Sequence, residues 1–321
     1  MEETIPTDLS LIYTITTYPE PEDYDYIWCK SPIYDILIIA CVCTCICVCG
    51  LVGNAVVLWL LGFRMKKNPF TVYVLNLAIA DFSLLLILLA KFTLYFIPWV
   101  YCIDYTEFHL ANAILFVMFL FCYLAGMYLL TAMSVERCLA ALFPVWYRCH
   151  RSRHCSAIMC GLLWTLAILF VSSVFLPYGL GTGNYHILYI FNIVNFVLFS
   201  FFPLLSNLAL FIKLRCGSQR RHPGKLYVAV LLSVLFLVAL GFPFSVEGFI
   251  SDFYPHLFYT SILLASLNSS INPVIYFLVG SCWQRRFQCS IRAALLRLFE
   301  EGATSEERNQ EPGDAVMETR V

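Results

Sequence analysis

From residue 33 onward the chain alternates between long stretches in which nearly every side chain is apolar and short ones in which charge gathers. The apolar stretches fall at about 33–62, 70–97, 108–135, 156–177, 186–212, 226–250 and 257–279. Each reaches or exceeds the roughly 20 residues a helix needs to cross hydrocarbon. Backbone groups in lipid must be satisfied within the segment or in a closed barrel, and these continuous runs lack the short alternating pattern of barrel strands. Each is therefore read as a helix, and the chain as an all-α membrane protein: a seven-transmembrane helix bundle over 33–281. The first run contains "ACVCTCICVCG", with a cysteine at every second position from Cys41 to Cys49. At about 100° per residue, Cys41, Cys45 and Cys49 share one helix face and Cys43 and Cys47 lie nearly opposite. No common metal or disulfide site follows, and the thiols read as small apolar filler.

Composition agrees: 60% of the 321 residues are hydrophobic and 13% charged, more apolar surface than one soluble core can hide. Charge sets the orientation. Arg64, Lys66 and Lys67 follow the first run, Arg148, Arg151 and Arg153 the third, and Lys213, Arg215, Arg220, Arg221 and Lys225 the fifth; six arginines lie in the tail. With Arg137, 18 of the 20 basic residues fall on one side, which the positive-inside rule makes cytoplasmic. The expected location is the plasma membrane, multi-pass, with the N-terminus extracellular and the C-terminus cytoplasmic. Residues 1–32 form an acidic outer segment without a short apolar stretch, so no cleaved signal peptide is expected and the first helix would direct insertion. Its Tyr24 and Tyr26 sit among carboxylates, a context open to sulfation or simply to a solvated acidic tail.

After the last run, Trp283, Phe287, Ile291, Leu295 and Phe299 recur every four residues while Arg285, Arg286, Arg292 and Arg297 take other faces. This predicts an amphipathic eighth helix over 282–299, lying on the inner leaflet with its arginines toward anionic membrane lipid. Cys282 or Cys289 is a candidate for palmitate, with an unmodified thiol the alternative. Residues 300–321 read as a disordered acidic cytoplasmic tail.

Polar groups inside hydrocarbon are costly and therefore informative. Asp81 comes 12 residues after Pro69, about 18 Å of rise, near mid-bilayer. A carboxyl there should be neutral or paired, and "LNSSINPVIY" offers Asn268, Ser269 and Asn272 as neighbours. Glu136-Arg137 closes the third run at the inner interface. Two other patterns carry little. "CHRSRHC" (Cys149, His150, His154, Cys155) could ligate zinc but lies in a cationic loop, and the glycines of "GLGTGNY" follow no strand and read as a turn. No nucleophile, base and oxyanion donors assemble, so the chain is not read as an enzyme. Nothing points to nucleic acid.

One marker set falls on each expected helix, in order: Gly53-Asn54, Asp81, Glu136-Arg137, Trp164, Pro203, Pro243, and Asn272-Pro273 with Tyr276. The ordered set resembles the rhodopsin-like G-protein-coupled receptors over roughly 33–299. Within them, "LLTAMSVERCLAALFPVWYRCHRSRH", "GKLYVAVLLSVLFLVALGFPFS" and "SLNSSINPVIYFLVGS" are similar to Mas-related receptors. Three departures from the wider pattern agree with the narrower likeness: Cys138 closes the Glu-Arg triplet, Gly241 stands where most such receptors place tryptophan, and Asn112 stands where most have a cysteine.

The resemblance implies an extracellular ligand, small molecule or peptide, and a heterotrimeric G protein of the Gq or Gi class as partner, in sensory or mast-cell signalling that includes itch. Glu136 would hold Arg137 at rest, and outward movement of the sixth helix about Pro243 would free it while Asn272, Pro273 and Tyr276 repack. The usual outer disulfide cannot form, so a bridge between Cys29 and Cys102 is the expectation in an oxidising exterior. Sodium at Asp81, Asn268 and Asn272 is a candidate, although Gly126 stands where sodium-binding relatives offer a hydroxyl. Residues 161–212 contain no Asp, Glu, Lys or Arg, which disfavours the acidic ligand contacts of relatives that take cations. Lys91 could pair with Glu107 or Glu247, or snorkel to the interface. Phe119 and Tyr123 line a pocket or pack the core, Gly241 floors the pocket, and Glu247 and Asp252 complete the candidate ligand residues. A secondary transporter remains the alternative, without the repeated halves expected of one. A retinal photoreceptor would need a lysine in 257–279, which has none.

Overall fold

The computed structural model describes residues 34–64, 68–101, 108–143, 145, 147, 154–179, 190, 193–195, 197, 201–209, 212, 225–241, 243 and 255–281. Cys29, Cys102, Glu107, Glu247, Asp252, Cys282 and Cys289 lie outside them, as do the expected eighth helix and both terminal segments.

All the regular structure among the described residues is helical. Helix α1 is Tyr34–Trp59, continued by a π-helical turn, Leu60–Arg64; α2 is Pro69–Tyr101, α3 His109–Leu142 and α4 Cys155–Gly179. We label the helical residues 201–209 α5. Helix α6 is Lys225–Phe236, continued by a second π turn, Leu237–Gly241, and α7 is Pro255–Ser281. Five of these helices are long and apolar enough to cross a membrane, and Val228–Gly241 is a shorter apolar one. The chain is a multi-pass membrane protein.

Helix α2 packs against α1, α3, α4 and α7, while α7 also packs on α1 and α6. The first turn of α2 is fixed locally. Pro69 starts the helix, where a missing N–H costs nothing; Asn68 Oδ1 accepts from the Thr71 N–H at 2.7 Å and Thr71 Oγ1 accepts from the Asn68 N–H at 2.9 Å. The expected run 108–135 is exceeded by α3, whose 34 residues span about 51 Å. Charge at Glu136 and Arg137 does not stop the helix.

The cysteine faces of α1 are as the helical period dictates. Cys43 and Cys47 are buried in the bundle, and Cys41, Cys45 and Cys49 are exposed on the outer surface. Gly50 shares the inward face. A Cβ there would overlap Ser270 Oγ and stand 2.7 Å from Leu85 Cδ1, so glycine is what lets α1 approach α7 closely.

A second contact between these helices has a covalent origin. Pro273 lies inside α7 and has no N–H for the Ser269 carbonyl one turn earlier. Asn54 Nδ2 donates to that carbonyl at 3.1 Å and to the Gly50 carbonyl at 3.0 Å. Asn54 is 1% exposed, so its amide supplies the donor that water cannot.

Candidate functional site

Three contacts between α2 and α3 share one antiparallel register. At the centre, a Cβ on Gly126 would stand 3.8 Å from Asp81 Oδ1. Eleven residues back along α2 and eleven on along α3, the Arg137 guanidinium lies 4.0 Å from the centroid of the Phe70 ring. Ten residues on along α2 and ten back along α3, Lys91 Nζ lies 4.8 Å from the centroid of Phe116. At 1.5 Å per residue these levels are about 15 Å apart, so the bundle carries a cation near each end and a carboxyl between them.

Asp81 is 3% exposed. Asn272 Nδ2 donates to its Oδ2 at 2.8 Å, and Ser269 also hydrogen-bonds to it. Of the neighbours expected from α7, Asn272 and Ser269 thus meet Asp81 directly, and Asn268 has its Nδ2 3.5 Å from where a Cβ on Gly241 would sit. The side-chain carbonyl oxygens of Asn268 and Asn272 are buried without hydrogen-bond donors among the described residues. A carboxylate and orphaned carbonyl oxygens suit a hard cation, which takes oxygen ligands and needs no proton donors. Gly126 supplies no oxygen there.

At the Arg137 end, Tyr147 Oη donates to Glu136 Oε1 at 2.6 Å, and the Tyr73 hydroxyl also hydrogen-bonds to Glu136. Glu136 is thereby tied to α2 and to the segment after α3. Tyr276 is buried in α7 with Ser233 of α6 beside its hydroxyl. Ser134 Oγ donates to the Pro203 carbonyl at 3.4 Å, and Tyr128 Oη donates to Asn195 Oδ1 at 2.6 Å, so α3 is joined to the fifth segment at two heights. Trp164 Nε1 donates to Asn76 Oδ1 at 3.1 Å, joining α4 to α2.

Toward the Lys91 end, aromatic rings form a ladder along α3. Phe116 and Phe119 stack with centroids 6.4 Å apart, Phe119 and Tyr123 at 6.3 Å, and Phe175 of α4 meets Phe116 edge-on at 6.2 Å. Phe119 is fully buried and Phe116 half-buried, so the upper ring is the one within reach of a ligand. The ladder ends on α6, where Tyr123 Oη donates to the Gly241 carbonyl at 2.7 Å. Gly241 closes the π turn two residues before Pro243. In a π turn the hydrogen bonds skip one residue further, and proline removes another donor, so carbonyls in this stretch need partners from outside the helix.

Residues 53–187 match the family described as 7 transmembrane receptor (rhodopsin family). The chain is 37% identical over 266 residues to the Mus musculus protein named Proto-oncogene Mas, which covers 78% of this chain and 80% of that one. It is 39% identical over 284 residues to Mas-related G-protein coupled receptor member X2 of Homo sapiens, 83% of this chain and 81% of that one. Against the member X2 of Rhinopithecus bieti the identity is 40% over 291 residues, 84% and 85% of the two chains. The chain belongs to the Mas-related G-protein coupled receptor family. Members of this family are receptors, not enzymes, and membership implies an extracellular ligand and a G-protein partner.

In this Mas-related receptor the residues that the sequence singles out, Glu136, Arg137, Asp81, Asn272, Pro273, Tyr276, Pro243, Lys91, Phe119, Tyr123 and Gly241, are all described. Tyr147, Tyr73, Phe70 and Phe116 are not among the residues it marks. Tyr147 lies 11 residues from Glu136 and past the end of α3 at Leu142, and Tyr73 and Phe70 meet α3 only through the register above. A usable signal does exist for Phe116. It is as far before Gly126 in α3 as Lys91 is after Asp81 in α2.

Proposed function

We propose that this chain is a seven-helix plasma-membrane receptor, with an eighth helix along the inner leaflet, an extracellular N-terminus and a cytoplasmic tail. Ligand arrives at the Lys91 end, and Arg137 at the other end meets a G protein of the Gq or Gi class. The observation that carries this reading is the cluster around Arg137. A guanidinium held on a ring at one end of the bundle, beside a glutamate that accepts from Tyr147, is a charged group placed to meet another protein. The reading gives Glu136, Tyr276, Asn272, Pro273 and Pro243 to the switch, Lys91, Glu107, Glu247 and Asp252 to the ligand's contacts, and Phe119, Tyr123 and Gly241 to the floor beneath it that passes binding on to α6.

Activation is a population shift between two arrangements of α6, with Pro243 as the weak point and the Tyr123–Gly241 bond as the tie to α3. Sodium is proposed on Asp81, with Asn272 and Asn268 supplying carbonyl oxygens; its role would be to hold the layer in one arrangement. Palmitate on Cys282 or Cys289, a bridge between Cys29 and Cys102, and sensory or mast-cell signalling complete the proposal.

The test is nucleotide exchange on purified Gq and Gi by membranes carrying wild type or Arg137→Ala. Exchange in wild type and its loss by tenfold or more in the variant, at equal surface expression, is expected. Equal exchange by both removes Arg137 from the switch, and substrate uptake without any exchange would make the chain a transporter.

A further inference from the structure

We propose that Lys91 and Phe116 form the recognition point for an anionic ligand, a carboxylate, sulfonate or phosphate ester borne on an apolar or aromatic body. This rests on the receptor reading and gives its ligand a chemical class. An ammonium on a membrane helix is expensive to keep in place and ordinarily finds a carboxylate or reaches the interface. Lys91 is half-buried, it has no carboxylate partner among the described residues, and its Nζ lies over the Phe116 ring. A phenyl face offers a cation only a small part of what an anion offers. Among the described residues, the site thus holds a positive charge in an apolar setting without an anionic partner.

The walls agree on sign. The stretch from Gly161 to Ile212, which includes most of α4 and all of α5, carries no Asp, Glu, Lys or Arg, so no carboxylate there attracts a cation and no lysine or arginine competes for an anion. Phe175 of α4 packs nearly perpendicular to Phe116, so the wall beside the ring on which the ammonium rests is aromatic and uncharged. An acid head would therefore pair with Lys91, and an apolar body would lie on Phe116. Phe119 and Tyr123 take no part in contact. They stack beneath Phe116 and end on the Gly241 carbonyl, so displacement of the top ring is passed along buried surfaces to α6.

The test uses the full chain in lipid nanodiscs and a matched set of probes: biphenyl- and naphthyl-alkanoic acids, their primary amides, and the amines of equal length. Two readouts are taken, the thermal unfolding shift and nucleotide exchange on Gq and Gi. Acids should stabilise wild type at lower concentration than amides or amines do. Lys91→Met keeps the stem and loses the charge, and should weaken acid binding about 10- to 100-fold, the scale of a hydrogen bond to a charged group. Lys91→Arg should retain acid binding, which separates a charge effect from misfolding, and Lys91→Glu should shift preference to the amines. Amides or amines equal to acids in wild type, no stabilisation by any acid, or acids unaffected by Lys91→Met would each overturn the proposal. Acid binding that follows this pattern without exchange on either G protein would leave the anion site standing and overturn the receptor reading instead.

Discussion

Replacing Tyr123 by phenylalanine removes one oxygen atom and leaves the stacking on Phe119 in place. The lost atom donates at 2.7 Å to the Gly241 carbonyl from a side chain 5% exposed, so water has no easy route to replace it. A bond of this kind has a net worth of about 0.5–1.5 kcal/mol. If it exists only while α6 rests against α3, its loss multiplies the population of the displaced arrangement about 2- to 13-fold. Starting from about 1% active receptor, that places roughly 2–11% in the active form without ligand. The assay is basal nucleotide exchange on the coupled G protein, normalised to surface receptor, for wild type and Tyr123→Phe. An unchanged basal rate would mean that the bond survives the transition. A lower rate would mean that it belongs to the active arrangement, and either result refutes the tether described above.

Asn54→Ala should lower thermal stability by about 1–2 kcal/mol, because it leaves the Ser269 carbonyl without a donor in a buried place. Adding Pro273→Ala to that variant should recover most of the loss, since the new N–H can pair with the same carbonyl; independent, additive losses would contradict this. Gly126→Ser should fold normally, because a Cβ there makes ordinary contacts of 3.8 Å with Asp81 Oδ1 and 3.9 Å with Leu77 Cδ1. Its hydroxyl should make thermal stability more sensitive to sodium than to potassium, compared with wild type; equal sensitivity to both ions in both proteins would speak against the cation site.

The order of amino acids makes legible whatever depends on one helix at a time. Apolar length locates the spans, the 100° rotation separates Cys43 and Cys47 from their three neighbours, and depth by rise brings Asp81 level with the polar stretch of α7. Contacts between helices are less accessible, because they depend on axial offset and rotation that hydropathy does not encode. Asn268 illustrates this: one turn from Asn272, it faces Gly241 of α6 while Asn272 reaches α2. The π turns are invisible for a similar reason, since a five-residue widening leaves composition unchanged. Hydropathy also places the end of α3 too early, because Glu136 and Arg137 interrupt the apolar run without interrupting the helix.

The amide of Asn54 and the ring of Pro273 amount to one inherited unit written at two distant places in the gene. A lineage that lost the imino acid would regain an ordinary helical bond in α7 and release position 54 to drift, whereas one that lost the asparagine first would be burdened with a bare oxygen in its interior. The order in which such changes are tolerated is therefore set by chemistry, with position 273 leading and position 54 following.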